Sequence, residues 1–153
     1  MHMEKVSIGD AEPNAFGSDI DRSGLSAPLG TTDLSLNRYR LDPGERFSGG
    51  MRTHMDQEEV FVIVEGEATF ETMDGEVTVS EAEVIRFAPG EFQSGKNDSD
   101  GEVVAFAMGA PRDSEDVRVP QHCLECRHDN VRTIPDDDGF DLQCPECGAE
   151  LDG

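Results

Sequence analysis

Short apolar runs separated by turn-forming residues fill the chain from residue 6 to about residue 120, and this pattern constrains the fold more than any other feature. Runs such as 60–64 and 103–107 are rich in the β-branched and aromatic residues that favour strands. No segment has a convincing helical pattern. We expect strands over 33–41, 46–54, 59–64, 68–72, 76–79, 83–87, 92–97 and 102–109. Eight closely spaced strands predict an all-β fold that closes into a barrel.

Changes in composition divide the chain into four parts. Residues 1–32 are predicted to be irregular, with a short strand at the barrel edge, because Gly, Pro, Asp and Ser are frequent there. Residues 33–110 hold the barrel strands. Residues 111–120 are charged and flanked by Pro, which is typical of a linker. Residues 121–153 form a second unit.

The chain carries 34 acidic and 12 basic residues, a formal net charge of -22. A disordered acidic chain would lack the regular apolar runs described above, so we interpret the charge as the acidic surface of a folded protein. In molar salt the Debye length falls to about 3 Å, which screens most of this repulsion. Only Lys5 and Lys96 are lysines. This bias resembles that of proteins from halophilic archaea, which keep molar salt inside the cell.

Neither end of the chain suggests a membrane or secretion signal. There is no run of about 20 apolar residues and no basic segment followed by an apolar one near the N-terminus. We therefore expect a cytoplasmic protein without a membrane partner.

All four cysteines of the chain lie in two Cys-x-x-Cys pairs, Cys123 with Cys126 and Cys144 with Cys147. Two such pairs can supply four thiolates in the tetrahedral arrangement that Zn²⁺ prefers. Two disulfides are the less favoured alternative, because the cytosol is reducing. Gly148 follows the second pair, whereas Arg127 follows the first, which is a looser match to the pattern. The module resembles a zinc ribbon, and four sulfur ligands imply a structural rather than a catalytic zinc.

The charge of the ribbon bears on its partners. Residues 121–153 hold nine acidic residues against Arg127 and Arg132. Phosphates would be repelled, and molar salt would weaken such binding further, so a nucleic-acid partner is disfavoured. We expect the ribbon to support folding or to bind a protein partner.

A second motif lies in the barrel. His54, Glu59 and Gly66 have the spacing of the first cupin motif, and residues 88–97 are similar to the second motif at Gly90 and Asn97. The chain therefore resembles the cupin superfamily over about residues 33–110. This resemblance implies a double-stranded β-helix, or jelly-roll, barrel. Because one face of a strand holds every second residue, positions 52 and 54 should point into the barrel, close to Glu59.

The chain departs from the cupin pattern at two of its four usual ligand positions. Metal-binding cupins commonly use three His and one Glu, but here Arg52 and Gln93 replace two of the histidines. A guanidinium cannot bind a metal and repels a divalent cation. Arg52 can instead pair with Glu59 and receive the carboxylate, phosphate or enolate of a small ligand. Position 93 keeps a neutral amide.

Three interpretations of Arg52, His54, Glu59 and Gln93 stay open. The favoured one is a metal-free ligand pocket, the next is a set of polar side chains that satisfy one another, and the third is a second divalent metal held by His54, Glu59 and Gln93. The corresponding functions are a dimeric small-molecule-binding or sensor cupin with a structural zinc, a protein-interaction adaptor, and a metal-dependent dioxygenase or isomerase. Whether the protein is an enzyme is left undecided.

Overall fold

The strands of the barrel and of the ribbon follow one another along the chain with few helical residues. The structure is a computed structural model that describes residues 3–10, 20–136 and 139–151. Its strands are β1 Asp21–Gly24, β2 Ser35–Leu41, β3 Thr53–His54, β4 Glu58–Glu65, β5 Glu67–Thr72, β6 Gly75–Ser80, β7 Glu83–Phe87, β8 Gln93–Lys96, β9 Val103–Ala110, β10 Val117–Val119, β11 Val131–Asp136, β12 Gly139–Gln143 and β13 Glu150–Leu151.

Two facing sheets form the barrel. The first has the order β1-β2-β9-β4-β7 and the second the order β6-β5-β8. All neighbouring strands in both sheets are antiparallel. Isolated bridges pair Arg46 with Lys96 and Arg52 with Gln93, which extends the second sheet beyond β8. The predicted all-β barrel is confirmed.

Aromatic rings fill the space between the two sheets. The Phe70 side chain is fully buried, and its ring centroid lies 5.0 Å from that of Phe61, 5.4 Å from that of Phe87 and 5.7 Å from that of Phe47. Phe47 in turn contacts Tyr39 edge to face, with centroids 5.1 Å apart. Such pairs add to the stabilisation that burial of apolar area provides. This cluster closes one side of the barrel interior and leaves the other side for polar side chains.

Gly66, the last residue of the first motif, lies between β4 and β5 where no side chain fits. Its φ is +84°, and a Cβ there would overlap the carbonyl oxygen of Glu102. Gly44 has a similar φ of +88°, but a Cβ there meets nothing within 4 Å. The two glycines therefore share a backbone conformation and differ in the space around them.

This difference predicts unequal effects of two alanine substitutions. Gly44→Ala should cost about 1–2 kcal/mol of unfolding free energy for the left-handed backbone alone. Gly66→Ala should cost about 2–5 kcal/mol, because the collision with Glu102 adds to it. Denaturant titration followed by tyrosine fluorescence measures both, since Tyr39 is the single tyrosine and the chain has no Trp. Equal losses for the two variants would contradict this explanation of Gly66.

Three expectations differ from the structure. The predicted strand over 46–54 is interrupted by a bend at residues 47–50, because Gly49 and Gly50 bring no side chains that would hold the segment extended. The chain also contains short helices, a single α turn at Ser26–Leu29 that Gly30 ends with φ +71° and a 3₁₀ turn at Ile8–Asp10. Residues 111–120, expected to be a linker, contain β10.

Strand β10 joins the barrel to the C-terminal unit. The third sheet has the order β13-β12-β11-β10-β3, so β10 pairs with β11 of the ribbon on one side and with β3 of the barrel on the other. Val117 lies opposite His54 in this sheet. The segment is therefore held by hydrogen bonds on both edges.

The N-terminal segment contributes one strand to the barrel. β1 pairs with β2 and forms the edge of the first sheet, at the position expected for a short edge strand. Residues 11–19 of the segment predicted to be irregular lie outside the described residues. No helix among the described residues is long and apolar enough to cross a membrane.

Candidate ligand site and metal centre

The four predicted site residues line one cavity. It has a volume of about 290 Å³, lies inside the barrel and is bordered by strands of both sheets together with residues 112 and 114. Arg52, His54, Glu59 and Gln93 are all part of its wall. A cavity of this size accommodates a small metabolite.

Arg52 and Gln93 are brought together by backbone pairing. The Arg52 N–H donates to the Gln93 carbonyl oxygen at 3.1 Å, and the Gln93 N–H donates to the Arg52 carbonyl oxygen at 3.0 Å. Residues that are directly opposite in an antiparallel pair project to the same face. Arg52 remains exposed to solvent, whereas Gln93 is buried. The guanidinium therefore lies on the solvent side of the cavity.

His54 takes part in a chain of hydrogen bonds. The Ser114 hydroxyl donates to Asp56 Oδ1 at 2.6 Å, and the Glu115 N–H donates to Asp56 Oδ2 at 2.7 Å. Partial burial opposes ionisation of Asp56, but these hydrogen bonds outweigh it and lower the pKa of the carboxyl. Because the single hydrogen of Ser114 is used by Asp56, its oxygen accepts from His54 Nδ1–H at 2.9 Å. Nδ1 therefore carries a proton.

Glu59 faces the other nitrogen of His54. Its Oε1 lies 3.3 Å from His54 Nε2, and each side chain is 17% exposed. Each ring nitrogen of His54 therefore has a polar neighbour, the Ser114 hydroxyl at Nδ1 and the Glu59 carboxylate at Nε2. The expected pairing of Glu59 with Arg52 is not found among the described residues, because His54 occupies that side of the carboxylate.

Alternation along β2 decides which of its side chains face the cavity. On β2, Tyr39 faces the cavity, whereas Arg38 points away and pairs with Asp21 at 3.0 Å and Arg40 points away and pairs with Glu102 at 2.6 Å. Burial raises the pKa of the Tyr39 phenol, and the nearby guanidinium groups of Arg22 and Arg52 offset this only in part. The phenol is therefore a hydrogen-bond donor at neutral pH.

The sequence analysis missed several residues of the cavity wall, above all Arg22, Gln57, Arg112 and Ser114. Three of them lie outside the two motifs, and nothing in their neighbourhood along the chain marks them. Gln57 lies between His54 and Glu59, and its amide donates to the Pro111 carbonyl oxygen at 2.8 Å. Its position within the first motif is the one signal that could have identified it.

The barrel residues are a poor fit to the metal that cupins commonly hold. Of the four usual ligand positions, His54 and Glu59 offer good donors, Gln93 offers a weak one and Arg52 offers none. Within the described ranges, the four cysteines are the one group of three or more His, Cys, Asp or Glu side chains close enough to hold an ion. The donor set of the barrel therefore does not match the three-His-one-Glu pattern.

The four cysteines of the C-terminal unit fit a metal well. All four sulfurs lie within 4.8 Å of one another, with Cys123 Sγ 3.7 Å from Cys147 Sγ and Cys126 Sγ 3.5 Å from Cys144 Sγ. Tetrahedral zinc with Zn–S bonds of about 2.3 Å separates its sulfurs by about 3.8 Å, whereas a disulfide bond is only about 2.0 Å long. The arrangement therefore suits a bound zinc and not two disulfides.

Backbone N–H groups near the sulfurs affect the pKa of the cysteine thiols. The N–H groups of Cys147 and Glu146 point at Cys144 Sγ at 3.5 and 3.4 Å and lower the pKa of this thiol to about 6. The His128 N–H acts in the same direction on Cys126, but the Cys144 thiol and desolvation outweigh it and raise the pKa of Cys126 to about 12. Four thiols in this small space favour exchange of their protons for a divalent ion.

The residues after each cysteine pair adopt the same conformation. Gly148 has φ +76° and Arg127 has φ +65°, and each N–H donates to the carbonyl oxygen of the first cysteine of its pair at 3.0 and 2.8 Å. Arg127 thus adopts a backbone conformation that favours glycine. The two halves of the site are related turns.

An ion-pair cluster lies where the ribbon joins the barrel. Asp116 accepts from Arg118 Nε at 3.0 Å and from Arg132 Nε at 3.1 Å. Arg118, and after it Arg132, holds the pKa of the Asp116 carboxyl below its ordinary value. Because a depressed pKa stabilises the fold above the unfolded-state value, this contribution is lost only as the pH falls through the acidic range. The cluster therefore supports the joint at neutral pH.

Comparisons with known proteins agree with the fold. The family model described as "Cupin domain" matches residues 37–109. A sugar phosphate isomerase from a cupin superfamily of Silicibacter pomeroyi has 18% identity and a TM-score of 0.68, with 94% of each chain covered. A putative sugar phosphate isomerase from Acidithiobacillus ferrooxidans has 18% identity and a TM-score of 0.67, covering 88% of this chain and 81% of that one.

A third structure covers a smaller share of this chain. A predicted oxalate decarboxylase from Thermotoga maritima has 19% identity and a TM-score of 0.58, with 70% of this chain and 98% of that chain covered. No curated protein matches the sequence. Since these structures share less than a fifth of their residues with this chain, they establish the fold alone. Motif, barrel and family model agree, so residues 37–109 match the cupin domain and the barrel has the cupin fold.

Proposed function

We propose that this protein binds a small molecule inside its cupin barrel without the help of a barrel metal. The observation that carries this proposal is the side chain at position 52, a guanidinium in place of a metal-binding imidazole. It lines the cavity together with His54, Glu59 and Gln93. A fixed cation in this position repels a divalent ion but attracts an acidic ligand.

The ribbon has a separate role in this proposal. Four sulfur ligands leave no open coordination position, so the zinc supports folding and takes no part in chemistry. The free thiols require a reducing compartment, which favours the cytoplasm. A ribbon whose zinc is purely structural can still bind a protein partner.

A metal-dependent cupin enzyme is the second candidate, and one observation favours it. His54 donates through Nδ1 to Ser114 and directs Nε2 toward Glu59, which is the orientation that second-sphere hydrogen bonds give to a metal-binding histidine. The enzyme names of the structural neighbours are a further argument for it. In this alternative Gln93 and water complete the coordination.

Elemental analysis separates the two candidates. For the full chain purified without chelators, we expect about one zinc per chain from the cysteine site and no second metal. Mass spectrometry of the metal content measures both quantities in one sample. A stoichiometric amount of iron, manganese or nickel in addition to zinc would instead support the enzyme and contradict the metal-free pocket.

A further inference from the structure

The charge of the cavity is opposite to that of the protein. Within a chain of formal net charge -22, the cavity wall contains three arginines, Arg22, Arg52 and Arg112, against the single carboxylate of Glu59. The three guanidinium groups and the one carboxylate leave two positive charges in excess. Such a local reversal of sign concentrates anions in the cavity.

The three arginines also differ from the other basic residues in their partners. Among the residues that the structure describes, seven of the twelve basic side chains lie within 4 Å of a carboxylate: Arg38, Arg40, Arg46, Arg86, Lys96, Arg118 and Arg132. Of the five that do not, three line the cavity. In a chain with 34 acidic residues, three of the four described guanidinium groups without a carboxylate within 4 Å therefore line this cavity, the fourth being that of Arg127.

The contacts that these arginines do make are with neutral groups. Arg22 donates to the Asn37 side-chain oxygen at 3.3 Å and lies 5.6 Å from the centroid of the Tyr39 ring. Arg112 donates to the Thr31 carbonyl oxygen at 2.6 Å. These contacts fix the guanidinium groups of Arg22 and Arg112 without neutralising them. The charge stays available to a ligand.

Tyr39 adds an uncharged donor to the same wall. Its side chain is buried, and its hydroxyl has no hydrogen-bond partner within the described part of the chain. This hydroxyl opens to the cavity, where it is free to donate to a ligand. An anionic oxygen accepts from a phenol as readily as from a guanidinium.

From these observations we infer that the cavity is selective for a small molecule with two negative charges, held by Arg22, Arg52 and Arg112 together with the Tyr39 hydroxyl. A phosphate monoester and a short dicarboxylate share this chemistry, and both fit a cavity of about 290 Å³. The inference rests on the proposed function and names its class of ligand.

Titration calorimetry of the full chain tests this selectivity, in a potassium chloride concentration at which circular dichroism shows that every variant is folded. The probes are glycerol phosphate and succinate as dianions, acetate as the monoanion and glycerol as the neutral compound, at about pH 8, where a phosphate monoester carries two charges. At least one of the two dianions should bind about tenfold more tightly than acetate, a difference of about 1.4 kcal/mol. Comparison of the affinities for glycerol phosphate and succinate shows whether the cavity prefers a phosphate monoester or a dicarboxylate.

Substitutions assign the binding to the cavity. Arg22→Gln, Arg52→Gln and Arg112→Gln should each weaken dianion binding about tenfold, a loss of about 1.4 kcal/mol each. Arg86→Gln is the matched control, because Arg86 pairs with Glu58 on the exposed surface away from the cavity and should leave binding unchanged. An equal loss in the control would show a general effect of net charge and overturn the inference.

The remaining outcomes separate this inference from the proposed function. If glycerol or acetate binds as tightly as the dianions, and Arg52→Gln changes the affinity for all of these probes equally, the selectivity for dianions is wrong. The proposal of a metal-free ligand pocket is unaffected by that result. If none of the probes binds and elemental analysis finds a second metal, both the selectivity and the metal-free pocket are wrong.

Discussion

We expect that replacing Cys144 with Ser abolishes metal binding at the four-cysteine site and unfolds the C-terminal unit while the barrel stays folded. The buried core of this unit consists of Cys123, Val131, Leu142 and Cys144, so half of it is made of metal ligands. Structural zinc sites contribute about 10–16 kcal/mol of apparent binding free energy, which a core of two aliphatic side chains cannot replace. The barrel keeps a separate core of twelve buried residues.

Two measurements follow the two units independently. The zinc content should fall from about one per chain to near zero, and amide hydrogen exchange of β11 to β13 should become fast. Tyrosine fluorescence should change little, since Tyr39 lies in the barrel. Leu124→Ser is the matched control, because Leu124 lies between two ligands and is 84% exposed. Unchanged zinc in the Cys144 variant would refute the assignment of the cysteines as ligands.

A second large effect is expected from restoring two histidines in the barrel. The double variant Arg52→His and Gln93→His removes a cation and adds two imidazoles to His54 and Glu59, which completes the ligand set common in metal-binding cupins. Positions 52 and 93 are paired across the sheet and line the same cavity as His54. The affinity for Ni²⁺ should rise by about two orders of magnitude or more, because the number of good donors doubles and the repulsion is removed.

The measurement is a titration of the zinc-saturated protein with Ni²⁺, so that the cysteine site does not compete. The double variant Arg52→Gln and Gln93→Asn is the control, since it removes the same charge and adds no imidazole. We expect it to bind Ni²⁺ weakly, like the natural chain. A folded histidine variant that binds no better than this control would show that positions 52 and 93 do not have the geometry of the cupin ligands.

The barrel could be predicted from the sequence because its signals are local. Alternation of apolar residues, the Pro-Gly turns and the spacing of His54, Glu59 and Gly66 all act over a few residues. Gly66 illustrates this, since its place in the motif follows from the positive φ of the turn between β4 and β5. Gly49 and Gly50 are an equally local signal, and they mark the bend that interrupts the strand predicted over 46–54. Strand bounds elsewhere agree within a few residues.

Much of the cavity could not be predicted, because it is assembled from distant parts of the chain. Arg22 and Arg112 are separated by 90 positions in the sequence and meet through the pairing of β1 with β2 and the path of the chain after β9. Ser114 reaches His54 across a separation of 60 residues. The charged segment 111–120 had the composition of a linker, and only the tertiary structure shows that its strand is paired on both edges.

That strand has a consequence for how the two units depend on each other. β10 is the common neighbour of a strand from the zinc unit and of the strand that bears His54, and Met55 N–H also donates to the Asp116 carbonyl oxygen at 2.8 Å. A slip of β10 by one residue would translate it by about 3.3 Å and turn each of its side chains to the opposite face. The position of His54 in the barrel therefore depends on the register in which β10 pairs with the C-terminal unit. A change of register on the side of β11 would displace His54 on the side of β3.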